Sequence, residues 1–428
     1  MFKQTSDKLF SEFPQLKDSG NALLAKAKGD KYLWGIVILL SLISILVVYS
    51  AAGSLAYRKY FGNTEFFLFK QIGFAGLGLT AIYFIHQINY TFFLKIATYL
   101  FVLAIILLIV TIIWGNTKND GTRWLQIPIL KVSFQTSEFA KLALFIFLAK
   151  FISQKQEVIK DFKKGFVPAL IVIGLTCALI LPSNFSTAAL TAAAGVAVLF
   201  LGRASMKHIA TLLAIIVFAA GCYIFYIHKT YKNDADRIEL QDKEHSILKR
   251  KGTWKKRIYD FTTSGVDSST SQENFSKMAI ASGSVFWGTG PGRGQVSNFL
   301  SEAENDFIFS VIIEEYGLLG AALIIFLYIG FLFRCIRIFR RCPYAFGSFL
   351  ALGLSFAIVI QAMANMAVSV GLMPVTGVTL PFVSMGGTSY LFTCASLGII
   401  LSVGRNVEKL EGIVEPSVPN VEPIAQPL

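Results

Sequence analysis

The chain has 428 residues, of which 54% are hydrophobic and only 15% are charged, and its net charge is +13. The charged residues lie between apolar runs of about 20 residues, whereas a water-soluble domain would show runs of roughly 5 to 12 residues and far more polar surface. The composition therefore excludes a soluble globular protein and predicts a polytopic membrane protein of the all-α class.

About ten membrane-spanning helices are predicted, at about 20 apolar residues per span. Residues 1–31 precede the first span, and their dispersed lysines and acids are unlike a cleavable signal. Seven spans fall in residues 32–228 and three in residues 306–404, and a long loop, residues 229–305, separates the two groups. The predicted centres of the spans are Ile43, Gly76, Leu103, Leu144, Val172, Gly195, Ile215, Leu323, Phe356 and Leu397.

Basic residues in the short loops predict the orientation. "KFISQKQEVIKDFKKG", "GRASMK" and "FRCIRIFRRC" fall on one side, together with the lysine-rich start and with Arg405 and Lys409 after the last span. Such loops stay in the cytoplasm, so both termini are predicted to be cytoplasmic and the loop 229–305 extracytoplasmic. The positive charge then faces anionic lipid, and nucleic-acid binding is not inferred.

Cysteine and histidine indicate neither a disulfide framework nor a zinc site. The five cysteines lie in or beside predicted spans, no CxxC pair is present, and the four histidines are scattered along the chain. The tail, residues 405–428, is rich in proline and acidic residues towards its end and is predicted to be disordered.

The amino-acid composition of the long loop, residues 229–305, changes along its length. Residues 232–261 mix both charges and could contain a surface helix, whereas "SKMAIASGSVFWGTGPGRGQ" further on is apolar and rich in glycine. Glycines such as Gly283 and Gly290 permit tight turns and close backbone approach, as a re-entrant loop lining a substrate site would need. Lys277 in the same segment is a candidate cationic contact.

The stretch "ENDFIFSVIIEEYG", residues 304–317, places four carboxylates at the start of the eighth predicted span. Asp306 stands at the outer end of that helix, where it could simply cap the helix or could act chemically. Glu314 and Glu315 lie about 12 Å deeper. We expect at least one of them to pair with a basic group of another helix or to reach a wet cavity, and we favour a structural role for both.

Glu138 and Lys141 are three residues apart, on one face at the outer start of the fourth span. They are either a buried ion pair that holds the bundle together or a polar wall that positions a substrate. The adjacent Ser137 belongs to the same group of candidates. Arg123, in "RWL" just upstream, could bind a substrate or anchor the chain to lipid headgroups.

Residues 365–390, which link the last two spans, contain two prolines, four glycines and several hydroxyls but no charge. Such a loop can fold back to the membrane edge and present amides and hydroxyls to an anionic or sugar ligand. The candidate contacts are Pro374, Ser384, Gly386 and Gly387. These groups converge on the outer side, where an enzyme could use an acid as general base and cations to face a phosphate leaving group.

Five segments occur in an order that resembles the SEDS family of bacterial peptidoglycan glycosyltransferases, which includes FtsW and RodA. They are "RWL", "SFQTSEFAKLALFIFLA", "SKMAIASGSVFWGTGPGRGQ", "SEAENDFIFSVIIEEYGLLG" and "GLMPVTGVTLPFVSMGGTSYL". The resemblance covers about Gly29 to Arg405. The first span and "LPSNFSTAALTAAAGVAVLFLGR" resemble the FtsW-like division branch more than the RodA-like elongation branch. Where many relatives have an acidic "PDxGT" pattern this chain has Asn184, so no role of that acid carries over.

The resemblance implies that the chain polymerises lipid II, an undecaprenyl-pyrophosphate-linked disaccharide, into glycan strands during cell division. Asp306 matches the essential acidic position and would deprotonate the attacking sugar 4-hydroxyl while the pyrophosphate leaves. Glu138 and Lys141 match the functionally sensitive pair, and Arg123 matches the arginine of "RWL". A divalent cation, Mg²⁺ or Mn²⁺, is also implied, although the sequence shows no ligand cluster for it.

The resemblance also implies a cellular location and protein partners, and three alternative functions stay open. The expected location is the bacterial cytoplasmic membrane at the division septum, and the expected partners are a class B penicillin-binding protein and division-complex activators. The rivals are a lipid II flippase, a RodA-like elongation polymerase and a scaffold. A flippase would need a polar path across both leaflets, for which Glu314, Glu315, Gln361 and Asn365 leave some room.

Overall fold

The computed structural model describes residues 30–53, 55, 64–118, 121–127, 132–231, 272–283, 286–300 and 302–414. Ten of its helices contain the ten predicted span centres, and a shorter one, α8, lies between the seventh and the eighth of these. In chain order the helices are α1 Lys31–Ala51, α2 Glu65–Ile85, α3 Tyr90–Trp114, α4 Thr136–Gln154, α5 Val167–Ile180, α6 Phe185–Leu201, α7 Met206–Tyr231, α8 Gln272–Ser282, α9 Ile308–Arg341, α10 Ala345–Ser369 and α11 Thr388–Val414.

Within the described ranges, eight helices are long and apolar enough to cross a membrane. One of them combines α5 with the π-helical turn Phe162–Phe166 that precedes it. The two remaining predicted spans are α4, which carries Glu138, Lys141 and Lys150, and α6, which is apolar but has 17 residues. The structure therefore confirms the helical, polytopic membrane fold.

A small antiparallel sheet between α3 and α4 was not predicted. Its strands are β1 Asn116–Lys118, β2 Gly121–Ile127 and β3 Val132–Gln135, in the order β1-β2-β3. Trp124 lies opposite Gln135, and Leu125 lies opposite Phe134. Because β3 runs directly into α4, the sheet determines where the first turn of α4, with its polar residues, begins.

The bundle has an inner and an outer layer. The apolar window of α10 is 78% buried and that of α11 is 72% buried, whereas that of α7 is 6% buried. Small residues along α10, among them Gly347, Gly353 and Ala362, let neighbouring helices approach closely. The exposed side chains of α7 are large and apolar, as lipid-facing residues are.

One end of the bundle gathers the basic residues. There Arg334 of α9 binds Asp30 at the start of α1, with Nη2 to Oδ2 at 2.5 Å, and Arg405 of α11 donates to the Gln87 carbonyl beyond α2 at 2.7 Å. The helical turn after α4 adds Lys163 and Lys164. By the positive-inside rule this end is cytoplasmic. The same rule predicts that the opposite end is the outer end.

Several boundaries differ from those predicted. α7 runs to Tyr231 and α9 begins at Ile308, two residues inside the predicted span. α11 continues to Val414, past Arg405, where the disordered tail was predicted to begin. No proline interrupts this stretch until Pro416, and a residue that precedes proline disfavours helix. The predicted surface helix in residues 232–261, and residues 1–29 and 415–428, lie outside the described residues.

Candidate active site

Asp306 lies in a turn, residues 302–307, that leads into α9. Its amide donates to the Glu302 carbonyl at 3.0 Å, and the amide of Asn305 donates to the same carbonyl at 3.1 Å. The N-cap position of α9 is Phe307, so Asp306 precedes the helix and its side chain is only partly buried. Asp306 is therefore a half-buried residue at the end of the bundle opposite the basic residues.

The loop between α10 and α11, residues 370–387, holds this turn from one side. The Met385 amide donates to the Glu304 carbonyl at 3.0 Å, and the Ser384 hydroxyl donates to the Asn305 carbonyl at 2.6 Å. Ser384 also accepts a hydrogen bond from the Leu380 amide at 2.8 Å and is buried. Ser384, predicted to contact substrate, is therefore placed where it fixes the backbone of the Asp306 turn.

α10 holds the turn from a second side. The Asn365 side-chain amide donates to the Asp306 carbonyl at 2.8 Å and to the Val378 carbonyl at 2.7 Å. The same side chain thus joins the Asp306 turn to the loop 370–387. From the sequence, Asn365 was considered only as a polar residue that a flippase could use. An amide side chain in a membrane helix without charged residues was the signal for this anchoring role.

Glu138 and Lys141 form a buried ion pair, with Oε2 and Nζ 2.8 Å apart. Lys141 also donates to the side-chain oxygen of Gln361 at 2.7 Å, and Gln361 donates to the Thr379 carbonyl at 3.0 Å. Gln361 lies four residues before Asn365 on α10, so the two amides face the same way and contact adjacent carbonyl groups of the loop 370–387. The ion pair is thus connected to the Asp306 turn through this loop.

A small cavity of about 10 Å³, enough for one water molecule, lies beside the ion pair. Lys141, Gln361, Thr187 and Thr191 are among its lining residues. Asn184, which replaces the acid of many relatives, accepts a hydrogen bond from the Thr187 amide at 3.3 Å and caps α6. Asn184 therefore orders the helix start that forms one wall of the cavity.

Two other polar candidates, Ser137 and Arg123, lie near the start of α4. Ser137 is buried and accepts a hydrogen bond from the Gln135 side chain at 3.2 Å. The backbone of Arg123 lies in β2, but its side chain is outside the described part of the chain. Arg123 therefore stays a prediction.

The segment of residues 286–297, which we call the glycine loop, packs against α9. Thr289 and Gly290 donate their amides to the carbonyls of Glu314 and Glu315 at 2.8 and 2.9 Å. Gly290 has a φ of +98°, which favours glycine, and a Cβ on Gly283 would lie 2.8 Å from the Ile313 carbonyl oxygen. The predicted close backbone approach is therefore present, and its target is α9.

Glu314 and Glu315 are buried, and Glu314 is held by backbone amides rather than by a basic side chain. Its carboxylate accepts the amides of Gln295 and Val296 at 2.8 Å each and that of Ser297 at 2.9 Å. Glu315 accepts the Gly292 amide at 3.2 Å and the Ser50 hydroxyl, and no basic residue among those described forms an ion pair with either acid. Backbone amides thus satisfy both oxygens of the buried Glu314 carboxylate, whereas one oxygen of Glu315 has no hydrogen-bond partner.

The remaining candidates lie around the same end of the bundle. Lys277 of α8 is paired with Glu273 at 2.6 Å, and its side chain is 47% exposed. Pro374, Gly386 and Gly387 are partly buried members of the loop 370–387. The structure thus groups Asp306, Ser384 and the ion pair through one loop, and it places Lys277 on a separate helix beside the end of α10.

The chain is similar to a known protein family over almost its whole described length. The family model for the cell cycle proteins FtsW, RodA and SpoVE matches residues 30–409. Stage V sporulation protein E of Bacillus subtilis is 33% identical over 384 residues, which cover 89% of this chain and 98% of that protein. A probable peptidoglycan glycosyltransferase FtsW of Trichlorobacter lovleyi is 33% identical over 385 residues, 89% of this chain and 94% of that protein.

Two solved structures share the fold. One belongs to a peptidoglycan synthase complex, studied for its structural coordination of polymerization and crosslinking, and has a TM-score of 0.69 at 22% identity, covering 89% of this chain and 98% of that chain. The other is the rod shape determining protein RodA of Thermus thermophilus, with a TM-score of 0.59 at 21% identity and coverage of 88% and 97%. These two matches show that the fold is shared. The family model and the relatives confirm the resemblance seen in the motifs, and they show that the chain belongs to the FtsW, RodA and SpoVE family of cell cycle proteins.

Proposed function

We propose that the chain is a peptidoglycan glycosyltransferase that polymerises lipid II on the outer face of the cytoplasmic membrane. The observation that carries this proposal is the placement of Asp306. Its carboxylate is partly exposed at the outer end of the bundle, while hydrogen bonds from Asn365, Ser384 and Met385 fix the turn around it. Relatives named as probable peptidoglycan glycosyltransferases, such as that of Trichlorobacter lovleyi, support the reaction class.

In this proposal Asp306 is the general base. It accepts the proton of the acceptor sugar 4-hydroxyl as that oxygen bonds to the anomeric carbon of the donor sugar, and the bond from that carbon to the pyrophosphate breaks. A general base must lie within hydrogen-bond reach of the proton it takes, so a turn whose backbone is held in place suits the role.

The ion pair of Glu138 and Lys141 acts through other groups. Lys141 holds Gln361, and Gln361 holds the loop 370–387, which in turn carries the Asp306 turn. We therefore assign the pair a positioning role. We keep Arg123, Lys277 and the loop residues Pro374, Gly386 and Gly387 as candidate substrate contacts.

A divalent cation, Mg²⁺ or Mn²⁺, is expected to accompany the pyrophosphate. Among the described residues no group of three or more His, Cys, Asp and Glu side chains could hold one. We propose that the cation arrives with the phosphates of the substrate, as Mg²⁺ often does.

We also propose a protein partner and a location for the chain. A class B penicillin-binding protein would crosslink the strands, because this chain shows no penicillin-binding signature of its own and a protein of the same fold belongs to a peptidoglycan synthase complex. Relatives named FtsW favour the division branch over the elongation branch, and with it a septal location and division-complex activators.

A lipid II flippase is less well supported. The four residues that could form its polar path are all engaged in fixed contacts near the outer end: Glu314 and Glu315 hold the glycine loop, and Gln361 and Asn365 hold the loop 370–387. None of these contacts extends towards the basic end of the bundle. A continuous polar path would need other groups.

The proposal is tested with the purified chain and its cognate class B penicillin-binding protein, given lipid II in detergent with Mg²⁺ or Mn²⁺. We expect the wild type to make long glycan strands, and Asp306→Ala and Asp306→Asn to stay folded and to make no strands that are detectable in the time the wild type needs. Strands made by either variant at the wild-type rate would remove Asp306 from the reaction. Movement of labelled lipid II between leaflets without polymer would support the flippase.

A further inference from the structure

The glycine loop is attached to α9 at a break in that helix. Gly317, inside α9, has a φ of 65° and a ψ of −162°, which is not helical. The carbonyls of Glu314 and Glu315, just before the break, accept amides of the glycine loop, and the Leu319 amide beyond it donates to the Phe286 carbonyl at 3.4 Å. The glycine loop therefore supplies partners to backbone groups that a continuous helix would pair internally.

The Glu314 carboxylate is a second attachment point. Three consecutive amides, those of Gln295, Val296 and Ser297, converge on its two oxygens, and the Ser282 hydroxyl adds a fourth hydrogen bond at 3.2 Å. Glu314 is fully buried. Hydrogen bonds to an ionised acceptor are roughly twice as strong as neutral ones, so one side chain here replaces several ordinary contacts.

The residues held by Glu314 lead directly to Asp306. Ser297 begins the short 3₁₀ turn Ser297–Phe299, Leu300 is buried, and the Asp306 turn follows at once. At its other end Asp306 is joined to α9, the helix that carries Glu314. The chain thus runs from the glycine loop through the Asp306 turn into α9, and the Glu314 carboxylate of α9 binds back to the glycine loop.

We propose that Glu314 is a positioning residue for glycosyl transfer, a role that rests on the proposed function. Its carboxylate holds the glycine loop and, through that loop, the Asp306 turn. Because Glu314 is fully buried and both its oxygens accept loop amides, it acts on the turn and not on the substrate. The residue at position 294 must have no side chain beyond hydrogen, because a Cβ on Gly294 would lie 3.0 Å from the Glu314 carboxylate.

The test compares Glu314→Gln and Glu314→Asp with the wild type in the full-length chain. Glu65→Gln is the matched control, because Glu65 is an exposed glutamate in the first turn of α2 at the same end of the bundle. Three quantities are measured: hydrogen exchange of residues 286–297, affinity for lipid II, and the rate of glycan polymerisation with the penicillin-binding partner.

We expect Glu314→Gln to accelerate exchange in the glycine loop and to lower the polymerisation rate, each by about tenfold or more. Lipid II affinity and the exchange of α10 should stay at wild-type values, Glu314→Asp should be intermediate, and Glu65→Gln should match the wild type. If Glu314→Gln does not fold, Gly294→Ala, which keeps the carboxylate but crowds it, is judged by the same criteria.

Unchanged exchange in Glu314→Gln would overturn the proposal, and so would faster exchange with a wild-type rate of polymerisation. Loss of lipid II affinity in step with the rate would also contradict a positioning role. Absence of polymer from the wild type would instead defeat the proposed function. The exchange result would then still decide whether Glu314 holds the loop.

Discussion

At the scale of single residues, Lys141 can affect both the stability of the bundle and the position of the Asp306 turn. Its ammonium group contacts the carboxylate of Glu138 at 2.8 Å and the amide oxygen of Gln361 at 2.7 Å, and its side chain is only 14% exposed. A buried pair of this kind adds little net stability compared with an apolar pair, but removing one partner leaves the other as an uncompensated charge. The ion pair is therefore best tested by removing one partner and then both.

We predict that Lys141→Met destabilises the folded chain by about 3 kcal/mol, because Glu138 is left charged and buried. Glu138→Gln combined with Lys141→Met should recover much of that stability but little polymerisation, since Gln361 still loses its donor. Thermal unfolding in detergent and the polymerisation assay measure the two effects. A double variant that regains both stability and activity would show that the pair serves only to hold the bundle.

At the scale of elements, the spans could be predicted because an apolar run near 20 residues has few alternatives in a membrane protein. The sheet could not be predicted, since β1 has 3 residues and β3 has 4, and its strands depend on pairing across the chain. A structural role for Glu314 could be predicted, but the hydrogen-bond partners of Glu314 and Ser384 could not. Their partners are backbone groups of residues distant in sequence, which a residue pattern does not reveal.

The break in α9 yields a prediction at the same scale. Gly317 adopts a backbone conformation nearly restricted to glycine, and a Cβ there would collide with the Phe286 carbonyl. Gly317→Ala should therefore destabilise the chain by about 1 to 3 kcal/mol and loosen the glycine loop. Thermal unfolding and hydrogen exchange of residues 286–297 would measure this.

Gly330→Ala is the matched control for that experiment. Gly330 lies in a regular part of the same helix, and a Cβ there would make an ordinary contact with Ile36 at 3.6 Å. Alanine is preferred to glycine inside a helix by roughly 0.5 to 1 kcal/mol, so this variant should be as stable as the wild type or more stable. Equal stability of the two variants would contradict a structural role for the break.

For the whole molecule, the central question is which end faces the cytoplasm. Basic residues gather at the end that contains Asp30, Arg334 and Arg405, and Asp306 lies at the other end. We predict that a cysteine placed at Asn298 reacts with a membrane-impermeant maleimide in intact spheroplasts. A cysteine placed at Lys164 should react only after permeabilisation.

The labelling is carried out with the five native cysteines replaced, because Cys222 is exposed on α7. Both cysteine positions are exposed at opposite ends of the bundle, so they form an internal comparison. The reverse pattern would place Asp306 in the cytoplasm, away from any lipid II on the outer face. It would contradict both the orientation and the proposed reaction.

The central claim, that the Asp306 carboxylate takes a proton from bound substrate, is tested most directly by comparing binding with turnover in Asp306→Asn. Asparagine keeps the shape and loses the basicity, and the contacts that hold the turn are made by its backbone. We predict wild-type affinity for lipid II and a polymerisation rate lowered by about 10²- to 10⁴-fold, the range for loss of a general base. A rate close to that of the wild type, or a loss of rate explained wholly by weaker binding, would contradict the claim.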